Sequence, residues 1–457
     1  MVTRHSVYLT FVLEKYNYIE SGDYLKRIQY EYRNLGGSDS WRNRVGPVKI
    51  NGKIIMTAFL KNKKIVLGVC GGIAAYKSAE LLRILVKQGA SVKVILTENA
   101  KAFVGPLTFE ALSGQPVCTS LYDDRGDGSI RHIGWAEEAH AVIIAPATAN
   151  MIGKLANGIA DDALSTFMLA VTSPKIICPS MNTSMYENRA VQRNLDTLEG
   201  DEYMVVEPDS GELACGVTGV GRLPAPEYIA DRLVKRLQPK DLNRKRVVVT
   251  AGPTLEPIDP VRFISNHSSG KMGYAIARAA EYRGADVVLV SGPTFFPAPA
   301  GVRTVSVKTA DEMANAVFEN MENADIIIKV AAVADYKPSE PVDYKIKKTS
   351  DNIALPLDKN IDILKEIGRR KKDQFLVGFA AETHDLDSNA RKKMEEKNLD
   401  MIVGNIVGGS SSGFGADTNK VTFYFNDGKK ESLPVLEKDE VAQILLDRIV
   451  EKVAANG

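Results

Sequence analysis

The chain has 457 residues, with 58 Lys and Arg against 57 Asp and Glu and a hydrophobic fraction of 44%. This balance is typical of soluble globular domains, and it excludes a disordered chain and a disulfide-stapled miniprotein. The length predicts about three domains of roughly 150 residues each.

The net charge of +1 is unevenly distributed. Residues 1–55 carry nine Lys and Arg against five Asp and Glu, which leaves 49 against 52 in the rest of the chain. Because no basic stripe follows residue 55, a nucleic-acid partner is not expected. No run approaches the roughly 18 apolar residues of a membrane helix, so a membrane partner is not expected either.

The four cysteines are widely spaced at Cys70, Cys118, Cys178 and Cys215. They form no CxxC pair, which argues against a zinc knuckle or a disulfide framework and predicts reduced thiols in a cytoplasmic protein. Cys70 and Cys178 end apolar runs and are predicted core residues. Cys215 instead lies in a glycine-rich loop that could fold over a pocket.

The first 55 residues differ in character from the rest. They contain six of the 16 tyrosines and have no apolar signal-peptide core. Met56 stands shortly before the first clear strand pattern, which favours an appended segment or a start assigned too early. A small docking arm is the alternative. We therefore treat residues 1–60 as an extension.

Short β-branched runs alternate with helical patterns from Lys64 onward. A polar, proline-containing segment at 237–244 divides two such series and predicts a linker. The predicted strands are 65–69, 92–96, 141–145 and 175–178, then 246–250, 286–290, 324–330, 375–379 and 401–403, followed by an Asn-Asp-Gly hairpin at 421–428 and a helix at 441–453. Nearly uniform apolar character is expected of strands buried on both faces of a parallel sheet. The sequence predicts an α/β fold with two tandem three-layer parallel-sheet domains, 61–238 and 239–457.

Three strand ends in the first domain carry residues suited to binding. Gly71-Gly72 opens a helix, where backbone N–H groups can approach a phosphate, although a tight turn explains the glycines equally well. Ala147-Thr148 ends another strand, at the edge where open α/β sheets bind ligands. Asn182, between Met181 and Met185, could offer one directional hydrogen bond among soft apolar contacts; core packing of the methionines is the alternative.

Five segments of this domain together resemble the flavin-dependent cysteine decarboxylases. They are 71–77, 131–133, 145–150, 179–185 and 213–216, in the order of that family. The resemblance implies a flavodoxin-like flavoprotein domain. In that family FMN oxidises the thiol of 4′-phosphopantothenoyl-cysteine, which eases the loss of the carboxylate.

Matching positions imply residue roles in this domain. His132 corresponds to the active-site histidine, Asn182 orients the substrate carboxylate, and Cys215 donates a proton. A thiol with a pKa of about 8.5 suits that task, because it is protonated at neutral pH yet can release its proton. A lone histidine is otherwise more often structural. The FMN-binding segments of the family contain Gly71, Gly72, Ala147 and Thr148.

A donor-rich loop follows the first strand of the second domain. Residues 265–270 supply N–H and hydroxyl donors ahead of a helix, which predicts an anion site. Ser265 stands where a P-loop would have its first glycine, which argues against a Walker ATPase. Asp335 ends an apolar strand ahead of the basic run 345–348, an arrangement that suits a nucleoside triphosphate with Mg²⁺. A solvated edge strand is the alternative explanation of the basic run.

Segments 265–273 and 331–338 resemble phosphopantothenate–cysteine ligase, and the tandem arrangement resembles bacterial bifunctional proteins that carry both enzymes. The resemblance covers residues 61–455 and implies a Rossmann-like ligase domain. In that family CTP activates the 4′-phosphopantothenate carboxylate as an acyl-cytidylate, pyrophosphate leaves, and the amine of cysteine attacks. The two halves would make 4′-phosphopantetheine for coenzyme A biosynthesis.

Matching positions also imply the residues of the ligase. Asn266 holds the activated carboxyl group, Asp335 contacts the nucleotide and is the candidate Mg²⁺ ligand, and Lys345 neutralises phosphate. The remaining nucleotide contacts implied are Ile361, Asp362, Ile363, Leu364, Phe379, Lys393 and Lys397. Ile361 replaces the commoner proline of the family, a change that backbone contacts would survive.

Two other functional classes make different predictions. A flavin-binding regulatory module would not need His132, Asn182 and Cys215 together. A pyridine-nucleotide oxidoreductase would be colourless and need NADPH, whereas bound FMN absorbs visible light. The resemblance further implies a cytoplasmic homo-oligomer built from decarboxylase trimers and ligase dimers, and the preference for CTP over ATP is likewise only implied by it.

Deletion of residues 1–55 is expected to preserve both implied activities, because every motif lies after Met56. The check is turnover by a chain beginning at Met56, compared with the full chain. Loss of either activity would make the first 55 residues part of the functional fold.

Overall fold

Two buried sheets organise the described part of the chain. In the computed structural model the described residues are 59–121, 131–212, 216, 218–347, 354–382, 386–406 and 415–456. All of them belong to one compact unit. Among the helices in these ranges, none is long and apolar enough to cross a membrane.

The first sheet is entirely parallel. Its strands are β1 (Lys64–Val69), β2 (Ser91–Leu96), β3 (Val117–Cys118), β4 (Ala141–Ala147), β5 (Lys175–Pro179) and β6 (Tyr203–Val205). The order across the sheet is β3-β2-β1-β4-β5-β6, so it reverses between β1 and β4. The four predicted strands are confirmed. The short β3 and β6 were not predicted, because two or three residues give no periodic signal.

Helices cover both faces of this sheet. They are α1 (Ala75–Lys87), α2 (Pro106–Ser113), α3 (Arg131–Glu138), α4 (Ala149–Ala156), α5 (Ala163–Ala170), α6 (Thr183–Tyr186), α7 (Arg189–Gly200) and α8 (Pro226–Leu237). One apolar core joins the sheet to α1, α2 and α8, and a second joins it to α3, α4, α5 and α7. An antiparallel ribbon of β7 (Asp209–Glu212) and β8 (Thr218–Arg222) precedes α8.

The second sheet is mixed. Its strands are β9 (Arg246–Ala251), β12 (Asp286–Ser291), β13 (Arg303–Ser306), β14 (Ile326–Lys329), β17 (Phe375–Glu382), β18 (Met401–Ile406), β20 (Val421–Phe425) and β21 (Lys430–Ser432). The order is β13-β12-β9-β14-β17-β18-β20-β21, parallel except where β20 pairs with its two neighbours. It reverses between β9 and β14. The predicted hairpin is confirmed, with Gly428 at φ +84° in its turn.

Short ribbons and five helices complete this half. The ribbons pair β10 (Leu255–Pro257) with β11 (Phe263–Ser265), β15 (Tyr336–Pro338) with β16 (Leu357–Lys359), and β19 (Thr418–Asn419) with β22 (Leu436–Glu437). The helices are α9 (Lys271–Tyr282), α10 (Ala310–Met321), α11 (Ile363–Arg370), α12 (Leu386–Glu396) and α13 (Lys438–Asn456). One face packs against α9 and α13, the other against α10, α11 and α12. The predicted α/β class with two three-layer arrangements is confirmed.

The C-terminal end of α9 joins the two halves. Tyr282 belongs to the apolar core of the first sheet, where its hydroxyl donates to Asp231 of α8. The next residue, Arg283, donates to both carboxylate oxygens of Asp241 at 2.8 and 2.5 Å and to Asp447 of α13 at 2.6 Å. Leu242, the residue after Asp241, is buried. The segment predicted as a polar linker is therefore fixed to both halves.

A buried hydroxyl connects the two central strands of the second sheet. Thr250, in β9, accepts hydrogen bonds from the backbone N–H groups of Val330 and Ala331, each at 3.0 Å, just after β14 ends. Thr250 is fully buried. Without this oxygen both donors would lose their partner, and the Ala331 N–H, which is buried, could not turn to water instead.

We expect Thr250→Val to lower the free energy of unfolding by roughly 2 kcal/mol, because it keeps the shape of the side chain and removes the acceptor of two backbone donors, one of them buried. Thr304→Val is the matched control. The Thr304 hydroxyl, in β13, is buried without a hydrogen-bond partner within the described ranges, so its loss should change stability by less than about 0.5 kcal/mol. Urea unfolding of the full chain measures both; equal effects would contradict the prediction.

Candidate active sites

In the first domain, the ends of β1 and β4 meet where the strand order reverses. The backbone N–H of Cys70 donates to the carbonyl of Pro146 at 3.2 Å, and the buried Ser78 hydroxyl donates to the carbonyl of Ala145 at 2.6 Å. These bonds place the Gly71-Gly72 turn beside Ala147 and Thr148. Ligands of open α/β sheets bind at this position.

The two glycines have different surroundings. A Cβ on Gly71 would lie 2.5 Å from the Asn99 Cβ and 2.7 Å from the Asn99 carbonyl carbon, so only glycine fits there. A Cβ on Gly72 would meet nothing within 4 Å, and the next side chain, Ile73, is 64% exposed. The turn is thus packed on one side and open on the other, which leaves room for a ligand over it.

Thr148 links this turn to α4. Its hydroxyl caps the helix by accepting from the Met151 N–H at 3.4 Å. Burial raises the pKa of the neighbouring Cys70 thiol to about 12, against the lowering effect of hydrogen bonds from Thr148. Burial also raises the pKa of Cys178. Both thiols are protonated and buried, as predicted for core residues.

The Asn182 loop lies beside Ala147, because Ser180 N–H donates to the Ala147 carbonyl at 3.0 Å. The Asn182 side chain caps α6 by accepting from the Ser184 N–H at 2.9 Å. The loop is covered by the β7–β8 ribbon, since Met181 N–H donates to the Gly221 carbonyl at 3.0 Å. Gly221 has φ +140°, and a Cβ there would collide with the Met181 carbonyl. The structure thus brings Gly71, Ala147 and Asn182 together at three adjacent strand ends.

Two predicted residues of this site are placed only by their position in the chain. Cys215 lies outside the described residues, in the segment that connects β7 to β8. His132 is the second residue of α3, and its side chain is outside the described part. Their contribution to the site stays a prediction.

In the second domain, the strand ends of β9 and β14 form an equivalent edge. Ala332 N–H donates to the Gly252 carbonyl at 3.0 Å, and the Thr254 hydroxyl accepts from the Ala334 N–H at 3.1 Å. The Asn266 side chain, which follows β11, donates to the Ala332 carbonyl at 3.0 Å. Asn266 is therefore held against the segment that leads to Asp335.

Asn360 fixes the other side of that segment. Its N–H donates to the Asp335 carbonyl at 2.8 Å and its side-chain amide to the Ala334 carbonyl at 2.9 Å. Asn360 is 6% exposed, and within the described ranges its Oδ1 atom has no hydrogen-bond partner. The Asp335 carboxylate is exposed. A polar ligand at this edge would find one free buried acceptor and one exposed carboxylate.

Asp362 and Lys397 join α11 to the end of α12. Asp362 caps α11 by accepting from the Lys365 N–H at 3.0 Å and pairs with Lys397 at 2.8 Å. Burial raises the pKa of Asp362, but the bonds from Lys397 and the Lys365 N–H outweigh this effect and lower it. Gly368 permits the close approach, because a Cβ there would collide with the Lys397 carbonyl.

The remaining predicted nucleotide contacts differ in what they expose. Ile361 is 39% exposed, whereas Ile363 and Leu364 are buried in the core, so only their backbone groups could meet a ligand. Phe379, in β17, is half-buried, and Lys393 lies one turn before Lys397. Contacts between a nucleotide and the backbone groups of 361–364 therefore stay a prediction.

The basic run forms no strand at 345–347, so the edge-strand alternative is wrong for this part; Lys348 lies outside the described residues. The run is held instead by the ion pair between Asp259 and Arg262. The buried Asp259 carboxylate accepts from the Arg262 side chain and from the Ile346 N–H at 3.2 Å. Arg262 donates in turn to the Ile346 carbonyl at 3.2 Å. Lys345 itself is exposed.

The Arg262 side chain and three backbone N–H groups hold the pKa of Asp259 well below its usual range. A lowered pKa means that the ionised carboxylate stabilises the fold fully above the ordinary Asp pKa of about 4. This stabilisation is lost as the pH falls further. At neutral pH the segment that carries Lys345 is therefore held.

Comparisons with known proteins cover both halves of the chain. Residues 55–238 match the family model "Flavoprotein", and residues 242–453 match "DNA/pantothenate metabolism flavoprotein C-terminal domain". The coenzyme A biosynthesis bifunctional protein CoaBC of Bacillus subtilis (strain 168) is 50% identical over 394 residues, 85% of this chain and 97% of that protein. The chain belongs to this bifunctional coenzyme A biosynthesis family.

Other members and structures are also similar. The CoaBC protein of Escherichia coli (strain K12) is 46% identical over 396 residues, 86% of this chain and 97% of that protein. A crystal structure of the C-terminal domain of a CoaBC protein is 46% identical and covers 47% of this chain and 99% of that chain, with a TM-score of 0.42. The family assignment predicted from the motifs is confirmed.

The sequence analysis did not predict one residue of the second site, Lys329. Lys329 ends β14, and its ammonium donates to the Ala331 carbonyl at 2.7 Å. Burial, together with the positive charges of Lys397 and Lys393, lowers its pKa to about 8 against the opposing effect of two aspartates. The available signal was one lysine at the end of the run Ile326–Ile328.

We expect Asp259→Asn to speed hydrogen–deuterium exchange in residues 340–347 by about tenfold or more, because charge-assisted bonds to Arg262 and Ile346 are lost. Asp325→Asn is the matched control: Asp325 accepts from the Arg246 N–H at 2.8 Å and pairs with Lys245 at the opposite edge of the same sheet. Exchange mass spectrometry of the full chain would contradict the prediction if the 340–347 segment were unchanged.

Proposed function

We propose that the chain ligates cysteine to 4′-phosphopantothenate at the expense of CTP and then decarboxylates the product to 4′-phosphopantetheine with FMN. The main support is that a single relative of the bifunctional family matches this chain at 50% identity across both halves. We assign the decarboxylase to residues 61–238, the ligase to 239–457, and an extension to 1–60.

The ligase, an acid–amino-acid ligase, works in two displacements. A carboxylate oxygen of 4′-phosphopantothenate attacks the α-phosphorus of CTP, and pyrophosphate leaves. The amine of cysteine then attacks the acyl carbon, loses a proton as the amide forms, and expels CMP. Asn266 orients the carboxyl group, since its amide is fixed by the Ala332 carbonyl beside the strand end. Amide formation is split into two easier steps.

Cations and one acid would hold the nucleotide. Lys345, Lys393 and Lys397 neutralise phosphate oxygens, and Asp335 shares Mg²⁺ with the triphosphate. Among the described residues no group of three His, Cys, Asp or Glu side chains is spaced to hold a metal ion. We propose that Mg²⁺ arrives with the nucleotide. The free Oδ1 of Asn360 fits a polar ligand group at this edge.

The decarboxylase, a carboxy-lyase, would use three residues at the first edge. His132 holds or moves a proton at the substrate thiol, Asn182 orients the carboxylate that leaves as CO₂, and Cys215 donates the proton that completes the product. When bound, FMN supplies a two-electron acceptor that takes electrons from the thiol and returns them, so the overall reaction is redox-neutral. The open space over Gly72, beside the capped N-terminus of α4, fits a flavin phosphate.

The product of this sequence is an intermediate of coenzyme A biosynthesis. The homo-oligomer of decarboxylase trimers and ligase dimers and the cytoplasmic location stay predictions of the resemblance. The oligomer would affect the two sites only if residues are shared between copies.

The direct test uses the full chain with 4′-phosphopantothenate, cysteine, CTP and Mg²⁺. We expect the wild type to release pyrophosphate and form 4′-phosphopantetheine. Cys215→Ser should keep its flavin absorption and its pyrophosphate release but decarboxylate about 100-fold more slowly, so that phosphopantothenoyl-cysteine accumulates. Cys118→Ser, at a buried thiol in β3, is the matched control and should do both steps. A wild type that forms neither product would refute the proposal.

A further inference from the structure

Asn182 is bonded to the β7–β8 ribbon through both of its neighbours in the chain. The Met181 N–H donates to the Gly221 carbonyl at 3.0 Å. The Thr183 hydroxyl donates to the carbonyl of Val220, the residue before Gly221 in β8, at 2.8 Å. Two adjacent carbonyls of one strand therefore hold the residues on either side of Asn182, and the position of the Asn182 backbone depends on where β8 lies.

The helix that Asn182 caps is also held at its other end. Helix α6 has four residues, and the hydroxyl of the last one, Tyr186, donates to the carboxylate of Glu207, two residues before β7 begins. The Gln192 side chain of α7 donates to the Tyr186 carbonyl at 2.6 Å. One turn of helix has few hydrogen bonds of its own, so these outside contacts decide where α6 lies.

The fit between α6 and β8 is close. A Cβ on Gly219 would collide with the Thr183 hydroxyl oxygen, and a Cβ on Gly221 would collide with the Met181 carbonyl. Glycine at both positions of β8 lets the two backbones approach closely enough for the hydrogen bonds to form. Because β8 is paired with β7 in an antiparallel ladder, the ribbon presents a single surface to α6.

We propose that Thr183 and Tyr186 are positioning residues of the decarboxylase, which fix the amide of Asn182 by holding α6 to the ribbon at both ends. The inference rests on the proposed decarboxylase function and adds to it two residues that act through Asn182. The Asn182 Oδ1 atom accepts from the Ser184 N–H at 2.9 Å, so the orientation of the amide follows that of α6. A tilt of α6 would turn the amide away from the substrate carboxylate, and a displacement of about 1 Å can cost about 100-fold in rate.

Loss of the Thr183 hydroxyl should lower kcat and leave KM nearly unchanged. Thr183→Val keeps the shape of the side chain and removes the donor to β8, so we expect kcat for decarboxylation to fall about tenfold with KM within about twofold of the wild type. Thr183→Ser keeps the hydroxyl and should retain at least about half of the wild-type kcat. Tyr186→Phe keeps the ring, loses the bond to Glu207, and should lower kcat by about threefold or more.

The test measures kcat and KM for decarboxylation of 4′-phosphopantothenoyl-cysteine by the FMN-loaded full chain. Flavin absorption, and pyrophosphate release by the second domain, show for each variant that the chain is folded. Thr197→Val is the matched control, because the Thr197 hydroxyl donates to the Arg193 carbonyl at 2.9 Å within α7 and has no bond to the ribbon. This control should match the wild type in both constants.

A double-mutant cycle distinguishes positioning from a general structural role. If Thr183 acts through the amide of Asn182, Thr183→Val should lower kcat by less than about twofold in an Asn182→Ala background, where that amide is already absent. The full tenfold effect in that background would show that Thr183 acts independently of Asn182 and would overturn the inference.

The remaining outcomes separate this inference from the proposed function. A wild type that does not decarboxylate 4′-phosphopantothenoyl-cysteine refutes the decarboxylase itself. If the wild type is active, the positioning role is overturned by a normal kcat in Thr183→Val, by a rise in KM alone, or by an equal loss in Thr183→Ser. If Thr183→Val loses its flavin, Tyr186→Phe decides, because a wild-type kcat in that variant overturns the inference.

Discussion

Both sheets must satisfy their backbone polar groups at the place where neighbouring central strands separate. A parallel ladder ends there, and each N–H or carbonyl that loses its strand partner needs another one. In the first domain Ser78 donates to the Ala145 carbonyl, and in the second Thr250 accepts from two N–H groups. These two buried hydroxyls supply partners for one carbonyl and two N–H groups where the strands diverge. The candidate sites lie in the space that the divergence opens.

The second site is assembled from elements that are far apart in the sequence. The segment 331–335 is fixed by Thr254 on one side and by Asn360 on the other. Asp362 and Lys397 then join two helices on one face of the sheet. Each of these contacts uses a backbone carbonyl, a backbone N–H or an opposite charge. Asp362 and Lys397 are consequently held in place by the fold itself, and such preorganisation lowers the entropy cost of binding a ligand.

Much of the fold could be predicted because the central strands are buried on both faces. Runs such as Ile65–Val69 and Ala141–Ala145 are nearly uniformly apolar, and the ends of those strands placed Gly71 and Ala147 at one edge of the first sheet, whereas Asp335 follows the end of β14 by six residues. The short strands β3, β6 and β13 lacked such a signal. Lys329 was missed since its character comes from Asp362 and Lys397, which only the tertiary fold brings near. The Asp259 carboxylate, which holds Ile346 across 87 residues, was missed for the same reason.

Helix α9 is a rigid element that connects the two candidate sites. It begins at Lys271, directly after the loop that contains Asn266, and ends at Tyr282 in the core of the other domain. Twelve helical residues span about 18 Å, and a packed helix does not change its length. A shift of this helix along its axis would therefore move the donor loop of one enzyme and the joint of the other by the same distance. Arg283 fixes the far end of this helix to the linker and to α13, so α9 contributes to the relative placement of the two sites.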